Sequence, residues 1–248
     1  MPTSIDLAFV VVLFVFVTVV ETFVFVPRFR ARIAAGVPNA RTNAYRRTTI
    51  GQWAISIAML TGWAIAGRSW TALGVAPAGG WRLSVAGGFI AMAIAFGVMQ
   101  MRAVRRIAAS PEKRDKHRGA FGKVAFLLPG TPEEYRGFLL LSVTAGICEE
   151  LMVRGYLTWV FAAYVGAGAA VVLASIAFGV AHLYQGWSGV LKTGVVGIVM
   201  GGIVLASGWL LPAMLLHALI DVTSGMLAYA LLRDGQREAL PEVLKPAV

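Results

Sequence analysis

The feature that most constrains this chain is a series of apolar runs, each long enough to cross a lipid bilayer. The first extends from Ile5 to Val26, and a membrane-spanning helix needs about 20 predominantly apolar residues. Only 14% of the 248 residues are charged, whereas soluble domains carry about 25% charged residues. We therefore predict an all-α, polytopic membrane helix bundle.

The apolar runs and the turn residues between them predict seven transmembrane helices, or eight if the fourth is really two. The fourth begins at Thr131-Pro132-Glu133-Glu134, where threonine at the N-cap, proline at the first helical position and glutamate at the third form a capping box. It continues to about Tyr164 or breaks at Gly155. The other predicted spans are Ile5–Val26, Thr49–Gly67, Leu83–Met101, Ala169–Leu183, Ser188–Ser207 and Pro212–Leu232.

The basic residues, which give a net charge of +10, concentrate in short segments beside these spans. Six arginines and no acidic residue lie between Pro27 and Thr49, and nine basic residues face four acidic ones between Arg102 and Arg136. Such segments usually lie in the cytoplasm, next to anionic lipid headgroups. We predict a protein of the inner or plasma membrane with its N-terminus outside and its C-terminus inside. Its partner is the bilayer and not nucleic acid, since no soluble groove-reading element accompanies the charge.

The chain forms a single membrane domain in three parts. Residues 1–130 are an N-terminal three-helix region with basic loops, residues 131–232 a helix bundle, and residues 233–248 a charged tail. The middle part holds the ionisable side chains at bilayer depth. Each costs at least about 2.5 kcal/mol to insert, which makes it a functional hypothesis by default. They are Glu149, Glu150, Arg154, His182, His217 and Asp221.

Helical spacing assigns these side chains different tasks. Glu150 and Arg154 are four residues apart, so they share a helix face and can form an ion pair. Glu149 points about 100° away and has no partner on its own helix, which favours it as a general base. Asp221 follows His217 by four residues, a spacing that suits a carboxylate that accepts from an imidazole or holds a water. Converging on Glu149, the histidines could bind a metal, orient a water or stabilise an oxyanion, and the spacing does not choose.

Three motifs then resemble one known family. Glu149 to Arg154 reads EELMVR and matches EExxxR, Phe178 to His182 matches FxxxH, and His217 to Asp221 matches HxxxN/D. In this order, and with Gly155-Tyr156 after the arginine, they resemble the CAAX-protease and bacteriocin-processing family, formerly called abortive-infection proteins. The resemblance covers about residues 131–232, and the first three helices match only in hydropathy.

The resemblance implies an intramembrane endopeptidase that cleaves a membrane-associated peptide or protein. It makes Glu149 the base that activates water, with Glu150 and Arg154 in support and His182 and His217 lining the site. Asp221 takes a position often held by asparagine and, when ionised, cannot donate a hydrogen bond. A divalent metal such as zinc, held by Glu149, His182 and His217, is a further candidate. The motifs leave the metal, the substrate and the oligomeric state open.

Two other classes of function compete with this interpretation. The segment Gly186 to Gly189 matches the GxSG of rhomboid serine proteases, in which Ser188 would need a histidine base within hydrogen-bond reach. That reading leaves Glu149, Glu150 and Arg154 unused. A proton-coupled transporter, or a non-catalytic membrane scaffold, could use the same buried polar groups. The sequence contains neither the paired half-helices nor the inverted repeats that alternating access commonly uses.

Overall fold

The computed structural model describes residues 1–117 and 121–232, and within these ranges the chain is helical with no strand. The predicted all-α class is confirmed. The predicted tail at 233–248 lies outside the described residues. The helices are α1 Ser4–Ala34, α2 Ala40–Ile65, α3 Trp81–Ala108, α4 Pro111–His117, α5 Pro132–Glu150, α6 Thr158–Val165, α7 Ala167–Ala181, α8 Trp187–Ser207 and α9 Leu211–Leu232.

Four of the described helices, α1, α3, α8 and α9, are long and apolar enough to cross a membrane. Helix α7 is apolar but has only 15 residues. Large apolar side chains also lie exposed on the bundle surface, for example Leu191, Val195 and Val199 on one face of α8, as expected for a surface in contact with lipid. The molecule is therefore a membrane helix bundle, and the count of seven or eight spans stays a prediction.

The predicted start of the fourth span is confirmed at atomic detail. The Thr131 hydroxyl accepts from the Glu134 amide at 3.2 Å, and the Glu134 carboxylate accepts from the Thr131 amide at 3.2 Å. The helix does not break at Gly155. Instead α5 widens into a π-helix over Leu151–Leu157 and continues as α6. Short π segments often accompany functional sites, because the extra residue re-aims the side chains around it.

Close packing between α5 and α9 sets the depth of the polar residues. A Cβ added at Gly146 would lie 2.8 Å from the Ala218 backbone nitrogen, so only glycine lets the two helices approach this closely. Glu149 and Glu150 lie one turn beyond Gly146, and His217 precedes Ala218. The contact between two small residues therefore brings these carboxylates beside the imidazole.

The N-terminal helix is tied to the bundle by a polar cluster that the sequence did not single out. Asp6, which is 4% exposed, accepts from both terminal nitrogens of Arg68 at 2.7 Å and from the Tyr156 hydroxyl at 2.6 Å. The hydrogen bond from Arg68 to Asp6 raises the pKa of the guanidinium, so the arginine stays charged. Toward the other end of α1, Glu21 accepts from Arg47 at 3.1 Å. Two ion pairs thus tie α1 to the bundle, one at its first turn and one just past its middle.

Candidate active site

Glu150 lies at the centre of the polar residues and is fully buried. Its Oε1 accepts a hydrogen bond from Arg154 Nη1 at 2.9 Å, the pair that helical spacing predicts. The same oxygen lies 2.8 Å from Nδ1 of His217 on α9. Because a carboxylate that is paired with an arginine only accepts, Nδ1 carries a hydrogen and donates it. Glu150 therefore fixes the ring orientation of His217 and the hydrogen on its Nδ1, and Nε2 faces away from Glu150.

Glu149, the adjacent residue, points in another direction and is more open, with its side chain 19% exposed. Its Oε1 accepts from Nε2 of Gln52 at 2.7 Å, and its Oε2 lies 3.9 Å from Nε2 of His217. As the sequence predicts, Glu149 has no hydrogen-bond partner on its own helix among the described residues. Its partner comes from α2. Gln52 thus fixes Oε1 of Glu149, and Oε2 faces His217 without a direct hydrogen bond to it.

Sequence reasoning missed Gln52, and a signal for it was present. Gln52 is an amide within an otherwise apolar part of α2, and buried amides need partners. Two further contacts hold α2 parallel to α5: Trp53 Nε1 donates to Thr144 Oγ1 at 3.2 Å, and the rings of Tyr45 and Phe138 meet at 5.5 Å. These contacts fix the height of Gln52 relative to Glu149.

Asp221 lies on the open side of His217. Its Oδ2 is 3.7 Å from His217 Nε2, beyond hydrogen-bond distance, and its side chain is 36% exposed. The orienting hydrogen bond that the spacing suggested for Asp221 goes to Glu150 instead. Nε2 of His217 thus faces Asp221 and Glu149 at 3.7 and 3.9 Å, separations that are too long for a direct hydrogen bond and that one water could bridge from the side.

His182 joins this group through Phe178, the first residue of the FxxxH motif. His182 lies just past the end of α7, where its Nδ1 donates to the Phe178 carbonyl oxygen at 2.8 Å. The buried Phe178 ring meets the rings of His182 at 4.7 Å and His217 at 6.1 Å, and the Arg154 guanidinium lies over it at 4.2 Å. Because Nδ1 donates, the Nε2 of neutral His182 carries a lone pair that can accept from a ligand or a water.

The three candidate metal ligands, Glu149, His182 and His217, all lie in the described part of the chain. Within residues 1–117 and 121–232, no group of three or more His, Cys, Asp or Glu side chains is arranged to hold a metal ion. Of the three candidate ligands, Glu149 accepts from Gln52 through Oε1, and its Oε2 lies 3.9 Å from His217 Nε2. The described side chains therefore do not form the three-ligand metal site that the sequence suggested as a candidate, and we derive no step through a metal.

The serine of the GxSG segment is placed differently. Ser188 is exposed in the first turn of α8, and in the described part of the chain it has no hydrogen bond to a histidine. The side-chain pair that a serine protease needs is therefore not assembled here.

Buried carboxylates, an arginine and histidines on packed membrane helices define a class of site suited to proton transfer within the bilayer. In a comparison with protein families, residues 131–223 match the family described as Rce1-like, type II CAAX prenyl endopeptidase. The matched segment runs from the α5 N-cap to two residues past Asp221. The chain thus contains a domain of the CAAX protease family, as the motifs indicate, and this is a family of membrane proteases. Comparisons with curated proteins and with solved structures found no match.

Proposed function

We propose that this protein is an intramembrane endopeptidase that hydrolyses a peptide bond in a membrane-associated protein or peptide, with Glu149 as the base that activates water. The observation that carries the proposal is the pair of facing atoms Glu149 Oε2 and His217 Nε2, 3.9 Å apart. Their remaining polar atoms are fixed by Gln52 and Glu150. Pre-oriented groups of this kind need little rearrangement during the reaction.

The chemistry assigned to Glu149 is general acid–base catalysis. A water held between Glu149 and His217 gives one proton to Glu149 while its oxygen bonds to the carbonyl carbon of the substrate. The tetrahedral intermediate then collapses, the C–N bond breaks, and Glu149 returns the proton to the leaving amine. Neutral His182 offers Nε2 as an acceptor for the second hydrogen of the water. Asp221 and His217 complete the polar surroundings of the reacting groups.

Glu150 and Arg154 are assigned a positioning role. Glu150 is fully buried and Arg154 is 4% exposed, so neither is open to a substrate as Glu149 and Asp221 are. The arginine pairs with Glu150, and the same carboxylate oxygen accepts the Nδ1 hydrogen of His217. The exposure of the carboxylates falls from 36% at Asp221 through 19% at Glu149 to 0% at Glu150. This order places the open face of the cluster on the Asp221 side.

The test uses the purified full-length protein in liposomes, together with a library of membrane-associated peptides. Mass spectrometry of new peptide termini should reveal cleavage by the wild type and at least about 100-fold less by Glu149→Gln. Proton flux is recorded in the same vesicles. Glu149-dependent proton flux without any new terminus would support a transporter and overturn the peptidase. Equal cleavage by both proteins would remove Glu149 from the mechanism.

A further inference from the structure

The short turn between α7 and α8 carries a tyrosine next to one of the proposed site histidines. The segment Leu183–Gln185 forms a single 3₁₀ turn directly after His182, and it ends at Gly186, whose φ of 83° suits glycine. The ring centroids of Tyr184 and His182 are 5.7 Å apart. The turn therefore places a phenol beside the last residue of the FxxxH motif.

The hydroxyl of Tyr184 lies within range of the carboxylates of the proposed site. The tyrosine is partly buried, and the negative charges of Glu149, Asp221 and Glu21 all act on its hydroxyl, that of Glu149 most strongly. Glu149 and Asp221 are the two carboxylates that face Nε2 of His217. Nearby negative charges oppose the ionisation of a phenol, because ionisation would add another negative charge. Tyr184 therefore keeps its hydrogen and can donate it at the proposed site.

Neighbouring residues hold Tyr184 at both its hydroxyl and its backbone. Nε2 of Gln185 donates to the hydroxyl oxygen at 3.2 Å, and within residues 1–117 and 121–232 no acceptor lies in hydrogen-bond distance of the hydroxyl hydrogen. Gly189 leaves room for Gln185, because a Cβ added there would overlap the Gln185 Cβ. Arg30 of α1 donates from Nη2 to the Tyr184 carbonyl oxygen at 3.4 Å. The glycines of the GxSG segment thus shape the turn that orients a tyrosine whose hydrogen stays available.

We propose that Tyr184 is a further catalytic residue, whose hydroxyl donates a hydrogen bond to the oxyanion of the tetrahedral intermediate; this role rests on the proposed peptidase function. Attack of water on the substrate carbonyl leaves a negative charge on the carbonyl oxygen, and tyrosine hydroxyls are among the donors that stabilise such a charge in enzymes. Asp221, when ionised, cannot supply this hydrogen bond, because a carboxylate only accepts. The hydrogen bond from Gln185 polarises the Tyr184 hydroxyl and makes it a better donor.

The test removes only the hydroxyl and follows, in liposomes, the library peptide that the wild type cleaves. Tyr184→Phe keeps the ring, so its melting temperature should stay close to that of the wild type, whereas kcat should fall by about 10²–10³-fold, the loss typical of one oxyanion donor. KM should change little, because the hydrogen bond is made only in the transition state. The matched control is Tyr164→Phe, since Tyr164 is 62% exposed near the C-terminal end of α6. It should cleave as the wild type does.

A binding measurement separates this role from a role in substrate binding. A phosphinate, which is tetrahedral and anionic, replaces the scissile amide of the same peptide, and Tyr184→Phe should bind it at least tenfold more weakly than the wild type does. In a Glu149→Gln background, the unmodified peptide should bind equally well with and without the hydroxyl. A normal kcat, a loss confined to KM or an unchanged phosphinate affinity in Tyr184→Phe overturns the role of Tyr184 and leaves Glu149 as the base. If the wild type cleaves no peptide, the proposed peptidase function and this role fall together.

Discussion

His217 donates its Nδ1 hydrogen to Glu150 across a helix–helix interface, at 2.8 Å. The carboxylate that orients the imidazole is thus a fully buried one on α5, and it shares its oxygen Oε1 with Arg154. The carboxylate four residues along α9, Asp221, stays 3.7 Å from the other ring nitrogen. The EExxxR and HxxxD motifs are therefore joined by a direct bond between their second and first residues.

Replacing Glu149 with glutamine tests the proposed base. Glutamine keeps the size and the contact to Gln52 but cannot take a proton from water, so we expect cleavage to fall by about 10²–10⁴-fold, the range typical of a general base. The melting temperature should stay close to that of the wild type. Ser188→Ala is the matched control for the rhomboid interpretation and should cleave normally. A normal rate for Glu149→Gln with an inactive Ser188→Ala would reverse the assignment.

Removing Arg154 should affect folding and activity together. Arg154→Ala leaves the Glu150 carboxylate buried without its cation, and breaking a buried ion pair in this way costs about 3–5 kcal/mol. Thermal unfolding in detergent should show the loss of stability, and the yield of folded protein should drop. A variant with unchanged melting temperature and lost activity would move Arg154 from the positioning role into the chemistry.

Gln52 should tune the reactivity of Glu149 without contributing to substrate binding. A hydrogen bond to a charged group is worth about 1.5–3 kcal/mol, which corresponds to about 10–100-fold in rate if it acts fully in the transition state. We expect Gln52→Leu to lower kcat within this range and to leave KM nearly unchanged. The control is Gln100→Leu, which removes a side-chain amide on a different helix, α3. A Gln52→Leu protein with wild-type kcat would show that Glu149 needs no support from α2.

The approach of α5 to α9 depends on Gly146. An added methyl group would lie 2.8 Å from the Ala218 nitrogen, and overpacking of this kind typically costs about 1–3 kcal/mol. Gly146→Ala should therefore lower the melting temperature, and it should also lower activity because it separates Glu150 from His217. The control is Gly202→Ala on α8, where nothing lies within 4 Å of an added Cβ. If both variants unfolded alike, packing at Gly146 would not set the geometry.

The orientation in the membrane can be read from reporter fusions. The basic residues near the C-terminal ends of α1 and α3 predict that these two ends face the cytoplasm. Alkaline phosphatase, which is active only outside the cytoplasm, should be silent when fused after Ser110 and active after Gly79. The reverse pattern would contradict the predicted N-terminus outside. Activity at both points would contradict α3 as a span.

The sequence could predict the parts of the site that lie on one helix. Glu150 and Arg154 are four residues apart, so local geometry alone pairs them, and Glu149 was singled out because it points away from both. The capping box at Thr131 is local in the same sense. The all-α class and the order of the apolar helices along the chain also followed from hydropathy, because a helix that crosses the bilayer needs a long apolar run.

The sequence could not predict which residues of different helices contact one another. The apolar surroundings of Gln52 indicate that its amide needs a partner, but they do not identify that partner as a glutamate 97 residues later, since the pairing depends on how α2 and α5 pack. The choice of Glu150 over Asp221 as the partner of His217 likewise depends on the small-residue contact at Gly146. At the π-helix the sequence predicted only a possible break at Gly155, because periodicity cannot distinguish a widened turn from an interrupted helix.

The cluster around Asp6 has a consequence for biosynthesis. Its arginine partner lies 62 residues downstream and its tyrosine partner 150 residues downstream. At about 5–20 residues per second of translation, Arg68 follows after about 3–12 seconds and Tyr156 after about 8–30 seconds. The first helix must therefore wait at the insertion machinery, or at the membrane surface, with its aspartate still hydrated. Docking of the N-terminal helix is consequently a late step, taken after most of the other helices have been made.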